Sequence, residues 1–181
     1  MSYDAIGRRY ARAIFEIAKE EGQAAAVAEQ ISDFAATYEA SSELSTVLDN
    51  PLVADDVRNA IVTEIAQRTG GNQTAQRAIR LVAKQRRLRA MPDVARHLRR
   101  MVDEDAKVVR AHATTASQVS SAFLDKLKAE IERATGNKVV LSHSVDPSLI
   151  GGVVTRIGDR VVDGSIRSRL HAFRDATRPT N

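Results

Sequence analysis

The residues with the types to do chemistry here are four histidines, a run of three acids and an arginine-dense middle. His97, His112, His143 and His171 stand apart, with no HxxxH or HExxH pair to put two imidazoles on one helical face, so no zinc site is expected. The chain has no cysteine, which removes disulfides, iron–sulfur clusters, thiolate metal sites and thiol nucleophiles together. Asp103, Glu104 and Asp105 are contiguous, so around a helix they point in different directions. General acid–base work needs two carboxylates facing one cleft. The trio reads instead as a solvated run between domains. Gly151-Gly152 followed by Gly158 is not a dinucleotide fingerprint, and neither a phosphate-cradling GxxxxGK[ST] nor a GxSxG elbow occurs. The expectation is a chain that is not an enzyme and takes no cofactor.

The segment Lys84-Gln85-Arg86-Arg87-Leu88-Arg89, with Arg96, Arg99 and Arg100, could neutralise phosphates. No aromatic residue lies between 39 and 122 to stack on bases, and no short turn leads into a recognition-like helix. A nucleic-acid-binding module using residues 77–100 is therefore the alternative reading. Charge along the chain favours another. Residues 1–65 hold 5 bases and 12 acids, whereas residues 66–100 hold 10 bases and 1 acid. The whole carries +4 with a pI near 9.7. An acidic first third beside a basic middle is what early and late helices packed together would need.

The elements follow from periodicity. Ser2 or Asp4 opens a first helix with Ile6, Tyr10, Ala13, Ile14 and Ile17 on one stripe, broken at Gly22. A second carries Val27, Ile31, Phe34 and Tyr38. A third opens at Ser42 with Leu44, Val47 and Leu48, and stops at Asn50-Pro51. The fourth starts at Asp55 with Val57, Ile61 and Ile65, ending at Gly70-Gly71. The fifth, about Thr74 to Gln85, carries Ala78, Leu81 and Val82. The sixth begins near Pro92 and shows Val94, Ala95, Leu98, Met101 and Val102. After Lys107, Val109 to Thr115 alternate as a strand. A helix opens at Ser117 or Ser120 with Phe123, Leu127 and Ile131, closed by Gly136. Lys138–Val145 is a second strand. Gly152–Ile157 and Arg160–Val162 form a hairpin turning at Gly158-Asp159, and a last helix bears Ile166, Leu170 and Phe173. The expected fold class is α+β: an all-α six-helix bundle over residues 1–105, followed by a small α/β domain over 106–181. The longest fully non-polar stretch, Leu149 to Val154, is far too short to cross a bilayer. The start lacks the apolar core of a signal peptide, so the expected compartment is the cytosol or a cytosolic membrane face reached through partners.

The run Val145-Asp146-Pro147-Ser148-Leu149-Ile150-Gly151-Gly152-Val153-Val154-Thr155-Arg156-Ile157-Gly158-Asp159, continued by Val161-Val162-Asp163-Gly164-Ser165-Ile166-Arg167-Ser168-Arg169-Leu170, resembles the signature of the F-type ATP synthase delta subunit family. The mitochondrial counterpart is the oligomycin-sensitivity-conferring protein. Tyr10-Ala11-Arg12-Ala13-Ile14-Phe15, Asn50-Pro51, Arg86-Arg87-Leu88 and Pro92 fit the same family. The resemblance implies a structural stator subunit, peripheral on the cytoplasmic side of the inner (plasma) membrane and touching the membrane only through the complex. It links the catalytic alpha/beta head to the peripheral stalk b subunits, so that rotation is coupled to ATP synthesis. By the same resemblance the N-terminal helix of an alpha subunit lies between the first and fifth helices. Tyr10, Ala13, Ile14, Ile17, Ala78, Leu81 and Val82 would present the groove, with Arg80 and Lys84 flanking it. At the stalk end, Gly151 and Gly152 are expected to shape a bend, and Asp163-Gly164-Ser165 a turn into a capped helix. Arg167, Arg169 and Arg174 would meet acidic side chains of the stalk.

Overall fold

The computed structural model describes residues 2–70, 72–158, 160–168 and 170. It is an α+β chain that parts into two compact units between Val102 and Asp103. The helices are α1 (Tyr3–Glu20), α2 (Ala24–Ala40), α3 (Ser42–Asp49), α4 (Asp55–Arg68), α5 (Gln73–Lys84) and α6 (Met91–Asp105), with a 3₁₀ turn at Leu88–Ala90 before α6. Then follow β1 (Val108–Thr115), α7 (Ser121–Thr135), β2 (Lys138–Val145), β3 (Val153–Ile157) and β4 (Arg160–Asp163). The 3₁₀ turn has no counterpart in the periodicity, because one turn is too short to show a stripe.

Local chemistry sets several ends. Ser41, one residue before the expected start, caps α3 by accepting from the Leu44 N–H at 3.1 Å. Ser120 caps α7, and Gly136 ends it in the left-handed region at φ 70°. Ser2 precedes α1 without a side-chain cap bond.

The core of the first unit runs through Val27, Ile31, Phe34, Val62, Ile79, Val82, Leu88, Met91, Val94 and Leu98, all buried. Two helices are rotated from their expected stripes. On α1 the inward face is Ile6, Gly7, Ala11, Ile14 and Ala18, while Ala13 is exposed and Ile17 keeps 51% of its surface. Small residues let α1 approach its neighbours, and a side chain on Gly7 would strike Asp93 Cβ at 2.5 Å and its carbonyl carbon at 2.9 Å. On α4 the inward face is Arg58, Val62 and Ala66, and Val57 is half exposed. The Arg58 guanidinium explains that turn. It donates from Nε to the Leu48 carbonyl (2.9 Å), from Nη2 to the Asn50 (2.8 Å) and Val53 (3.1 Å) carbonyls, and from Nη1 to Asp55 (2.6 Å). Carbonyls left over between α3 and α4 are thereby satisfied in the interior.

The second unit is a four-stranded sheet of order β2-β1-β3-β4. β1 and β2 are parallel across α7, whereas β3 runs antiparallel to both β1 and β4. α7 covers one face, where Ile131 and Leu127 pack on Ala111, Val139, Leu141 and Ile157. Gly158 turns the hairpin at φ 57°. Residues 166–168 and 170 are helical, and Phe173, assigned to the same helix from sequence, lies outside the described residues. Among the described residues no helix is long and apolar enough to cross a membrane.

Candidate partner-binding groove

Along α1, positions 10, 13, 14, 17 and 21 recur at three and four residues and share one face; along α5, positions 74, 77, 78 and 81 do the same. The two faces meet across a cavity of about 220 Å³ lined by Tyr10, Ala13, Ile14, Ile17, Glu21, Thr74, Arg77, Ala78 and Leu81. Ile14 and Ala78 form its floor at 7% and 9% exposure, while Ile17 and Leu81 stand on opposite rims, each half exposed. Two large aliphatic side chains thus stand half exposed beside an apolar floor.

Both ends of the cleft are tied. At one, the Thr74 hydroxyl donates to Glu21 at 2.6 Å, joining α5 to the end of α1. The α4–α5 turn is held by the buried Gln30, whose Nε2 donates to the carbonyls of Ala66 (2.9 Å) and Gly70 (2.8 Å) and whose Oε1 accepts the Asn72 N–H (3.1 Å). Asn72 in turn caps α5 by accepting from the Thr74 and Ala75 N–H groups. At the other end the Arg87 guanidinium lies over the Tyr10 ring, 6.0 Å from its centroid. The cleft is thus held open by contacts that do not depend on what fills it.

Of the residues expected at this groove, Tyr10, Ala13, Ile14, Ile17, Ala78 and Leu81 line it. Val82 does not: it is fully buried, because one step beyond Leu81 turns a helical side chain by about 100° into the core. Arg80 is exposed and donates to Gln76 at 3.0 Å, and Lys84 is exposed at the end of α5; neither lines the cavity. Glu21, Thr74 and Arg77 were missed, although extending the same spacing along both helices reaches all three.

In the second unit the expected residues are joined by backbone. Gly152 sits at φ 89°, and a side chain there would meet the Gly164 carbonyl oxygen at 2.5 Å. The Gly164 N–H donates to Val153 O and the Ile166 N–H to Gly151 O, both at 2.9 Å. Asp163 accepts from the Ser165 N–H and the Ser168 hydroxyl, which hold its carboxyl below the usual range. Ser165 caps the following turn through the Ser168 N–H. Arg167 is exposed and reaches the Ser148 carbonyl at 3.4 Å; Arg169 and Arg174 lie outside the described residues. Around this knot Ile150, Val162, Ile166 and Leu170 remain largely exposed.

The basic middle is largely occupied internally. Arg86 pairs with Asp55 at 3.0 Å, Arg89 with Asp49 at 2.8 Å, and Arg96 with both Asp4 (2.8 Å) and Asp93 (2.6 Å). His97 faces Asp4 as well, at 2.8 Å. That hydrogen bond leads the interactions holding the Asp4 carboxyl below its ordinary value, and the Arg86 contact does the same for Asp55.

The family described as ATP synthase delta (OSCP) subunit matches residues 6–176. The chain belongs to that family. Relatives named ATP synthase subunit delta include that of Myxococcus xanthus, 39% identical over 171 residues and spanning 93% of this chain and 94% of the relative. That of Methylorubrum populi is 36% identical over 173 residues, spanning 96% and 92%, and that of Solidesulfovibrio magneticus 34% over 177 residues, spanning 97% of each. A chain of the Toxoplasma gondii mitochondrial ATP synthase hexamer shares the fold, with a TM-score of 0.71 at 20% identity over 96% of this chain and 98% of that one. The role that goes with membership is that of a stator subunit of ATP synthase. Nothing in these likenesses favours the nucleic-acid reading.

Proposed function

We propose that this subunit is a two-ended clamp of the stator. The six α-helices of the first unit act as a bundle whose α1–α5 groove takes the N-terminal helix of an alpha subunit. The second unit takes the end of the peripheral stalk b subunits through the surface around Gly151, Gly152, Asp163 and Ser165. The clamp itself is non-catalytic, lies on the cytoplasmic side of the membrane, and meets the membrane only through the complex. The observation that carries this reading is the open apolar cleft, with Ile17 and Leu81 half exposed over a buried floor and both ends pinned. A groove already held open spares the partner helix part of the ordering cost. Joining both holding surfaces in one chain raises the effective concentration of the second contact once the first is made.

The test is titration of the full chain with a synthetic peptide of the alpha-subunit N-terminus, read by calorimetry and by amide shifts. The expected result is a saturable one-to-one complex with the largest shifts at Ile17, Ala78 and Leu81. A complex whose shifts lie elsewhere, or no complex at all, would refute the groove assignment.

A further inference from the structure

A second cavity, of about 300 Å³, opens where α3 meets α4, and its lining mixes charged side chains with Tyr3, Leu48, Pro51 and Leu88. Four arginines line it: Arg58 from α4, and Arg86, Arg87 and Arg89 from the connection after α5. Two carboxylates answer them, Asp49 on Arg89 and Asp55 on Arg58 and Arg86, which leaves a surplus of two positive charges. Arg58 is 2% exposed, so one of the four charges acts from beneath the surface, where water screens it poorly. Asp49 is engaged from the other side as well, by the Tyr38 hydroxyl at 2.8 Å.

The backbone at Arg86 adds an independent observation. The Arg86 N–H donates to Ala83 O and the Arg87 N–H to Val82 O, the bonding pattern of a helix end closed by a left-handed residue. That position favours glycine, yet here it is arginine at φ 55°. Arginine at this position carries backbone strain that glycine would not. Its pairing with Asp55 offsets little, because both partners are at least half exposed.

We propose that this cavity is an oxyanion site for a dianionic phosphate group, bound by Arg86 and Arg89 above the buried Arg58. Guanidinium forks match the oxygen edges of phosphate, and a dianion neutralises the surplus that a single carboxylate would leave half uncompensated. The site shares no lining residue with the α1–α5 groove, though Arg87 also lies over Tyr10 at the groove's end; Arg86 and Arg89 are placed to bind whether or not that groove holds a partner helix.

The experiment titrates the full chain at pH 8 and constant ionic strength with inorganic phosphate, glycerol phosphate and acetate, following the arginine Nε–H signals and the heat. Saturable binding of phosphate, with shifts at Arg86 and Arg89 and none from acetate, is expected. Glycerol phosphate binding as well as phosphate assigns an esterified phosphate; weaker binding assigns the free ion. Arg86→Gly should raise the melting temperature by relieving the backbone while weakening phosphate at least about fivefold. Arg68→Gln, which removes one exposed charge elsewhere on the first unit, should leave phosphate affinity unchanged. No saturable phosphate binding, equal binding of acetate, or wild-type affinity in Arg86→Gly would overturn the proposal.

Discussion

Leu81 and Ile14 face the same cleft but answer to different free energies, and substitution at the two positions should separate binding from folding. Leu81 is 51% exposed in the free chain, so about half of its apolar surface is left for a partner to cover. Full burial of a leucine is worth about 2 kcal/mol, which makes the partner's share about 1 kcal/mol. Leu81→Ala should therefore weaken the alpha-subunit peptide about fivefold, and the half already buried in the free chain limits the folding loss to about 1 kcal/mol. Leu81→Asp adds a carboxylate that an incoming apolar face would have to desolvate, at about 2 kcal/mol more, and should weaken the peptide by about a hundredfold or more. Ile14 is 7% exposed and already part of the core, so Ile14→Ala should cost about 2–4 kcal/mol of folding stability while removing little additional contact with the peptide. Calorimetric titration paired with urea denaturation of each variant reads both quantities. Wild-type peptide affinity in a folded Leu81→Asp chain would show that the cleft is not the binding site. A folding loss in Leu81→Ala as large as that in Ile14→Ala would place Leu81 in the core and undo the distinction.

Two further outcomes are expected. Gly7→Ala, which inside an ordinary helix would gain about 1 kcal/mol, should instead destabilise the chain by about 1–3 kcal/mol, because the new methyl meets Asp93 backbone and Cβ at 2.5–2.9 Å; a raised urea midpoint would contradict the close approach of α1 and α6. Asp4 and Asp55 both have carboxyl groups held below the ordinary value, by His97 and by Arg86 respectively. Their contribution to stability is complete above the unfolded value near 3.9 and is lost as pH falls through the lower folded values. Stability should thus drop below about pH 4, and Asp55→Asn should lose less between pH 5 and 2.5 than wild type; an unchanged acid limb would remove Asp55 from the account.

Much of this protein was legible residue by residue because its signals are local. Helices α1 to α7 announce themselves by apolar spacing, and Gly22 and Gly136 mark breaks where the backbone takes positive φ. The alternation of Val109 to Thr115 marks β1, and the run from Val145 to Leu170 carries the family likeness through contiguous residues. Even the opposed charges of the first third and the middle were readable as a reason for those segments to meet.

Which partner each arginine takes was not readable, since Arg86 with Asp55, Arg89 with Asp49 and Arg96 with Asp4 close separations of 31, 40 and 92 residues. Nor was the rotation of each helix about its axis. A stripe of apolar residues does not distinguish the face that fills the core from the face that waits for a partner, because both exclude water. On α1 that choice fell to Gly7, Ala11 and Ala18, whose small side chains admit close neighbours and turn Ile17 outward. On α4 it fell to Arg58, whose hydrogen bonds to three carbonyls outweigh the apolar pull on Val57. Propensity and pattern act along a few residues of chain, so the sequence determined the elements; packing is a sum over neighbours distant in sequence, so only the tertiary structure decided that Val82 is core and Leu81 is groove.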